Sequence, residues 1–114
     1  MPTLKKNGRQ NHTATPRKVE LARAKRILRQ HLPEMRERYF VKSLGVFGSY
    51  VRGDQKKRSD LDLLVEFEQA PSLFKYVELE NHLSELVGIK VDLVMKKTLK
   101  PYIGQRILAE VVPL

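Results

Sequence analysis

The stretch from Gly48 to Phe67 constrains the fold most, because apolar and acidic residues alternate along its second half. Successive side chains of a β-strand point to opposite faces of a sheet. Asp60 and Asp62 would therefore share one face. Four apolar residues would share the other face: Leu61, Leu63, Val65 and Phe67. The pattern predicts a half-buried strand that presents two carboxylates on its open side.

The two carboxylates of this strand are candidate metal ligands. At the rise of a strand, the α-carbons of Asp60 and Asp62 stand about 6.6 Å apart. Carboxylates that lean together from such a spacing can hold a pair of divalent ions, and Mg²⁺ prefers oxygen ligands that include substrate phosphates. The alternative is that both are ordinary polar residues of a half-exposed strand. Asp-x-Asp alone would favour that alternative.

A Gly-Ser pair precedes the two aspartates by ten residues. We predict a strand over Val41–Phe47, which ends at Gly48-Ser49, and a short helical turn over Tyr50–Gly53. A strand, a Gly-Ser pair and a helical turn together aim backbone N–H groups at an anion. Gly48 would let a phosphate approach the backbone closely, and Ser49 would add a hydroxyl donor. The alternative is a common turn pair without a ligand.

Asp92 is the third candidate acidic ligand. It lies in a predicted strand over Ile89–Met95, whose apolar neighbours face the other way. If this strand pairs with the central one, about 4.8 Å away, Asp92 joins Asp60 and Asp62 on one face. Three clustered carboxylates repel one another, which favours a bound cation. The alternative is a lone polar residue on an edge strand.

Length and composition restrict the class of protein. A chain of 114 residues is expected to form one domain. It has no cysteine, which excludes a disulfide framework and thiolate metal sites. No apolar run is long enough for a membrane span, and no apolar segment follows the basic N-terminus as in a secretory signal. We therefore expect a cytoplasmic protein.

The positive charge is concentrated at the N-terminus. The net charge is +9, and residues 1–38 carry 11 of the 22 Lys and Arg but only 3 of the 13 Asp and Glu. We predict a basic, disordered arm over residues 1–15 and one folded domain over residues 16–114. Such an arm can attract nucleic acid or an acidic partner. The alternative is a solvated tail, because no aromatic stacking residues interleave the charges.

Helical periodicity predicts three longer helices around the strands. The first would begin at Thr15-Pro16 and continue to Tyr39, bent or restarted at Pro33. The second would be capped by Ser72 and stopped by Gly88. Its buried stripe would include Leu73, Tyr76, Leu79 or Glu80, Leu83 and Leu86 or Val87. The third would run over Leu99–Val112, capped by Thr98. The predicted fold is α+β, a mixed sheet of three or four strands with helices packed on one face.

The chain resembles the minimal nucleotidyltransferases of the DNA polymerase β superfamily, in particular the MNT-type antitoxins. The resemblance covers residues 21–114. It rests on Gly48-Ser49, ten residues, Asp60-Leu61-Asp62 and the later Asp92. The flanking segments FGSYVRGD, SDLDLLVEFE and VDLV, with the LKPYI…ILAE helix, also fit the family.

The resemblance implies a role for each of these residues. Asp60 and Asp62 would hold two Mg²⁺ ions, and Asp92 would complete the site of the catalytic ion and help to deprotonate the attacking hydroxyl. Gly48 and Ser49 would hold the β- and γ-phosphates of ATP, with Arg52 as a positive clamp. Nucleotidyl transfer fits this arrangement, because one metal serves the nucleophile and the other the leaving pyrophosphate.

The resemblance also implies a partner. Such proteins are paired with a HEPN-family ribonuclease toxin and are similar to enzymes that transfer AMP from ATP onto a toxin tyrosine, as type VII antitoxins. Family members that modify nucleic acids or antibiotics carry a second domain for that substrate, so here we expect the acceptor to come from the partner. Two alternatives stay open: an antitoxin that neutralises its toxin by binding alone, and a basic nucleic-acid-binding regulator.

Overall fold

A computed structural model describes residues 17–114, with side chains described from residue 20. The predicted arm over residues 1–15 and the predicted cap at Thr15-Pro16 lie outside this range. The helices and strands follow in the order α1 Arg17–Tyr39, β1 Val41–Phe47, α2 Ser49–Arg52, β2 Leu61–Phe67, α3 Leu73–Val87, β3 Val91–Met95, a 3₁₀ turn Lys96–Thr98, α4 Pro101–Glu110 and β4 Val112–Pro113. Within the described range, no helix combines the length and the apolarity that crossing a bilayer requires.

The strands form one four-stranded sheet in the order β3-β2-β1-β4. β1 runs antiparallel to both β2 and β4, whereas β2 and β3 run parallel. The parallel pair is connected through α3, because parallel neighbours need a crossover that a tight hairpin cannot supply. The mixed sheet confirms the predicted α+β fold class.

The main core lies between one face of the sheet and the helices α1 and α3. Strand residues Leu61, Leu63, Val65, Val91 and Leu93 are buried there, as the alternation predicts. The helices contribute Ala24, Leu28, Met35, Leu79, Leu83 and Val87. Phe67, which was expected to be buried with them, is only half-buried at the end of β2.

The two ends of α3 are as predicted. The Ser72 hydroxyl oxygen accepts a hydrogen bond from the Lys75 N–H at 3.1 Å, and Gly88 ends the helix with a φ of +72°. The predicted buried stripe is confirmed at Leu79, Leu83 and Val87 but is wrong at Leu73, which is 79% exposed. Leu73 lies in the first turn, and helical side chains lean toward the N-terminus, away from the buried turns that follow.

The third predicted helix begins later and ends earlier than expected. Thr98 does not cap it; its hydroxyl donates to the Met95 carbonyl within the 3₁₀ turn. α4 instead begins at Pro101, because the residue before a proline is restricted to extended conformations, and Lys100 has a ψ of 152°. Val112, the predicted last residue of the helix, instead belongs to the edge strand β4 and pairs with Val46 of β1.

α1 is one helix across Pro33, where a bend or restart was expected. A proline inside a helix removes one backbone hydrogen bond. Leu32 and Met35, on either side of it, are both buried in the core, so packing continues across the missing bond. The helix is therefore not restarted.

Candidate active site

The pairing of β2 with β3 places two of the predicted acidic residues side by side. Asp62 and Asp92 are register partners in the parallel pair. Partners of this kind point to the same face of a sheet, so both carboxylates lie on the face opposite the main core. Asp60 immediately precedes β2 and is half-buried, whereas Asp92 is exposed. The predicted shared face of Asp62 and Asp92 is confirmed.

The environment of Asp62 disfavours its charge. Burial, followed by the negative charges of Asp92 and Asp60, raises the pKa of the Asp62 carboxyl from 3.8 to about 6. Arg52 opposes this rise, and Glu110 adds to it. The negative charge at this position is therefore only partly compensated, and a cation here would relieve the repulsion.

The three aspartates do not form a complete metal cage by themselves. Across residues 20–114, no three or more acidic, histidine or cysteine side chains converge closely enough to hold a metal ion. The donor set nevertheless fits Mg²⁺, because this ion takes one or two protein carboxylates and completes its shell with substrate phosphates and water. Asp62 and Asp92 are neighbours on adjacent strands and supply two carboxylates.

Gly48 connects β1 to α2 in a conformation that favours glycine. Its φ is +82°, which side chains with a β-carbon rarely adopt. The Asp62 carboxylate also occupies the space where a β-carbon would lie. The carbonyl of Gly48 accepts the N–H groups of Val51 and Arg52 at 3.0 and 3.1 Å, which starts the short helix. Gly48 thus lies next to Asp62, and the half-buried Ser49 follows it as the first residue of α2.

Glu110, which the sequence reasoning did not single out, completes this cluster. Its Oε2 accepts a hydrogen bond from the Gly48 N–H at 2.7 Å, and its Oε1 accepts one from the Arg52 guanidinium at 2.9 Å. Hydrogen bonds to Glu110 and then to Asp54 raise the pKa of Arg52. Glu110 is 62 residues from Gly48 along the chain, so no local spacing could have revealed the contact.

A cavity of about 240 Å³ lies where α4 meets the acidic face. Its lining joins the Gly-Ser turn to one side of α4: Phe47, Gly48, Arg52, Asp62, Ile103, Arg106, Ile107 and Glu110. One side carries a carboxylate and a backbone turn, and the other carries apolar side chains and a cation. Such a lining suits a ligand with an anionic part and an apolar part.

Comparison with known proteins identifies the family. The family model for a nucleotidyltransferase domain matches residues 28–113. The protein adenylyltransferase MntA of Thermococcus cleftensis is 56% identical over 86 residues, which are 75% of this chain and 87% of that protein.

Solved structures share the fold. A structure provisionally described as a minimal nucleotidyltransferase has a TM-score of 0.67 and 33% identity, covering 88% of this chain and 97% of the other. The structure of a tri-AMPylated Shewanella oneidensis HEPN toxin in complex with an MNT antitoxin has a TM-score of 0.54 at 18% identity, covering 85% and 70%. At the latter identity the likeness establishes the fold alone. The chain belongs to the nucleotidyltransferase family, and it is a nucleotidyltransferase with the Gly-Ser turn and the acidic strand pair at one site.

Proposed function

We propose that this nucleotidyltransferase is the antitoxin of a type VII toxin–antitoxin pair, and that it transfers AMP from ATP onto a tyrosine of a HEPN ribonuclease toxin in an Mg²⁺-dependent reaction. The observation that carries the proposal is the contact of Asp62 with the Gly48 turn, next to its register partner Asp92. Two similar proteins support a protein as the acceptor of AMP. The T. cleftensis relative is named a protein adenylyltransferase, and the S. oneidensis complex contains an AMPylated toxin.

The acidic residues act at the attacking tyrosine oxygen and at the α-phosphate of ATP. The tyrosine oxygen attacks the α-phosphorus of ATP, a new P–O bond forms, and the bond to the leaving pyrophosphate breaks. Asp92 is exposed, so it can be reached by a hydroxyl on another protein and can accept the proton that this hydroxyl loses. Asp60 and Asp62 would hold the ions with Asp92, and bound Mg²⁺ supplies positive charge to the phosphates and lowers the pKa of the hydroxyl.

The remaining residues position the triphosphate. Gly48 and Ser49 would place backbone and hydroxyl donors against the β- and γ-phosphates, and Arg52 would add a positive charge. The contact with Glu110 supports this assignment, because a carboxylate already accepts hydrogen bonds from Gly48 and Arg52. Holding ATP and the hydroxyl in line supplies a large part of the rate enhancement.

The test is intact mass spectrometry of the purified toxin after incubation with ATP, Mg²⁺ and this protein. We expect wild type to add adenylyl mass, and Asp60→Asn or Asp62→Asn to lose transfer by a factor of about 10²–10³ or more. Glu37→Gln is the matched control, because it also replaces one carboxylate with an amide, on the exposed side of α1.

Two outcomes would contradict the proposal in different ways. If both aspartate variants still modify the toxin, the assignment of these residues is wrong. If wild type leaves the toxin unmodified yet abolishes its ribonuclease activity, neutralisation occurs by binding alone. Binding of nucleic acid through the N-terminal arm stays a separate prediction, because the described residues do not include that arm.

A further inference from the structure

Glu110 occupies the two groups that the proposed function assigns to the triphosphate. One carboxylate oxygen lies 2.7 Å from the Gly48 nitrogen, and the other lies 2.9 Å from the nearer guanidinium nitrogen of Arg52. A backbone N–H has a single hydrogen and makes one good hydrogen bond. Gly48 therefore cannot donate to Glu110 and to a phosphate oxygen at the same time.

The position of Glu110 is otherwise unfavourable for an anion. It is the last residue of α4, where the helix dipole carries partial negative charge. It also lies near enough to Asp62 for the two negative charges to repel, so that Glu110 raises the pKa of Asp62. The contacts with Gly48 and Arg52 offset these repulsions. The Gly48 N–H and the Arg52 guanidinium thus act together as donors to one anionic group.

Residues 112–114 hold the backbone next to Glu110 in place. Directly after it, Val112 and Pro113 pair with Val46 and Gly45 of β1. The Leu114 N–H then donates to the Leu44 carbonyl at 3.0 Å. Because this edge strand anchors the backbone next to Glu110, the side chain alone can leave the turn while α4 stays docked.

We propose that Glu110 is a built-in competitor of the nucleotide, which a phosphate group must displace from Gly48 and Arg52 before ATP is seated. This inference rests on the proposed function of the same site. Arg106 offers the displaced carboxylate a new partner, since it lies one turn earlier on the same side of α4 and lines the same cavity. Glu110 would then favour polyphosphates over weaker anions, because only a highly charged ligand replaces it.

The direct test measures binding to Glu110→Gln. Glutamine keeps the size of the side chain, removes its charge and places an amide next to Arg52. We expect the dissociation constants of Mg²⁺-ATP and of Mg²⁺-tripolyphosphate to fall about tenfold, because a charge-assisted hydrogen bond no longer has to be broken. Glu37→Gln, near the opposite end of β1, should leave both constants unchanged.

The outcomes separate this inference from the proposed function. Equal or weaker binding of both ligands by Glu110→Gln, with binding by wild type intact, overturns the competitor role and makes Glu110 a residue that positions Arg52. If neither wild type nor the variant binds Mg²⁺-ATP, the nucleotide site itself is refuted, and the competitor role with it. Adenosine separates the effects further, because it has no phosphate and its affinity should not change.

A measurement on the wild-type chain avoids any effect of substitution on folding. The ¹³C resonance of the Glu110 carboxyl carbon and the amide resonance of Gly48 should both move when Mg²⁺-tripolyphosphate saturates the protein. The Glu37 carboxyl carbon should stay in place. A shifted Gly48 amide together with an unmoved Glu110 carboxyl would overturn displacement, because it would mean that phosphate binds without breaking the contact.

Discussion

The carboxylate of Asp62 fills the space that a β-carbon at position 48 would need, with carboxylate atoms within 3.0 Å of that point. Gly48 therefore meets two requirements at once, a positive φ and a close approach by a neighbouring strand. The turn and the acidic strand are in direct contact, so the phosphate side and the metal side of the proposed site cannot shift independently.

We expect Gly48→Ala to lower the free energy of unfolding more than Gly88→Ala does. Both positions have a positive φ. Gly88 is in the left-handed helical region, where a β-carbon costs about 1–2 kcal/mol, whereas Gly48, with a ψ of −154°, is in a region that is almost exclusive to glycine and costs more. At Gly88 no atom lies within 4 Å of the added carbon, whereas at Gly48 the Asp62 side chain must move as well. Urea unfolding of both variants measures the difference. Equal losses would contradict this expectation, because both the backbone conformation and the contact with Asp62 make position 48 the less tolerant of the two.

We expect Asp62→Asn to stabilise the protein at pH 8, by about 1 kcal/mol once solvent screening is allowed for. The folded-state pKa of about 6 lies above the ordinary 3.8, so folding penalises the charged form. The penalty is fully present above pH 6, shrinks as the pH falls from 6 toward 4, and vanishes below 3.8. Melting temperatures of wild type and variant at pH 8 and pH 3.5 test this. If the variant exceeds wild type in melting temperature by the same amount at both pH values, the charge of Asp62 is not the cause.

The two leucines of α3 provide a matched pair for the core. Leu79→Ala should cost about 2–5 kcal/mol, because Leu79 is fully buried between α3 and the sheet. Leu73→Ala should cost less than about 0.5 kcal/mol, because its side chain is 79% exposed. Chemical denaturation of both variants measures the two values. A large loss at Leu73 would mean that the first turn of α3 is buried in solution.

ATP binding should require Mg²⁺ or Mn²⁺. Without a cation, the carboxylates of Asp60, Asp62 and Asp92 and the charge of Glu110 repel the triphosphate. Isothermal titration calorimetry with Mg²⁺, and again with EDTA, compares the two conditions. An affinity that is unchanged by EDTA would refute the role of the aspartates as metal ligands.

Deletion of residues 1–14 should leave nucleotidyl transfer and toxin neutralisation intact. We expect this because the residues proposed to act in transfer all lie beyond residue 47, and we predict the arm to be a solvated tail. A nucleic-acid-binding arm would behave differently: its deletion would flatten the salt dependence of DNA or RNA binding, which scales with the number of phosphates contacted. Filter binding at several salt concentrations distinguishes the two roles, and a loss of transfer on deletion would contradict our expectation.

Local patterns account for the features of the fold that were predicted correctly. Alternation has a period of two residues, so it placed Asp62 on the face opposite Leu61 and Leu63 wherever the strand came to lie. The Ser72 cap and the Gly88 stop of α3 are equally local, because each satisfies backbone groups within one turn. Two errors, at Leu73 and Thr98, lie at the starts of helices, which depend on the surrounding chain. A third lies within α1, where packing continues across Pro33.

The sequence by itself determined which residues face together within β2, where the Gly-Ser turn falls and which carboxylates are available. Only the tertiary structure decided that β3 pairs with β2 in the register that sets Asp92 next to Asp62, and that Glu110 reaches the Gly48 N–H across 62 residues. The physical reason is range. Side-chain direction follows from the dihedral angles of neighbouring residues, whereas contacts between distant segments follow from how the whole chain buries its apolar surface.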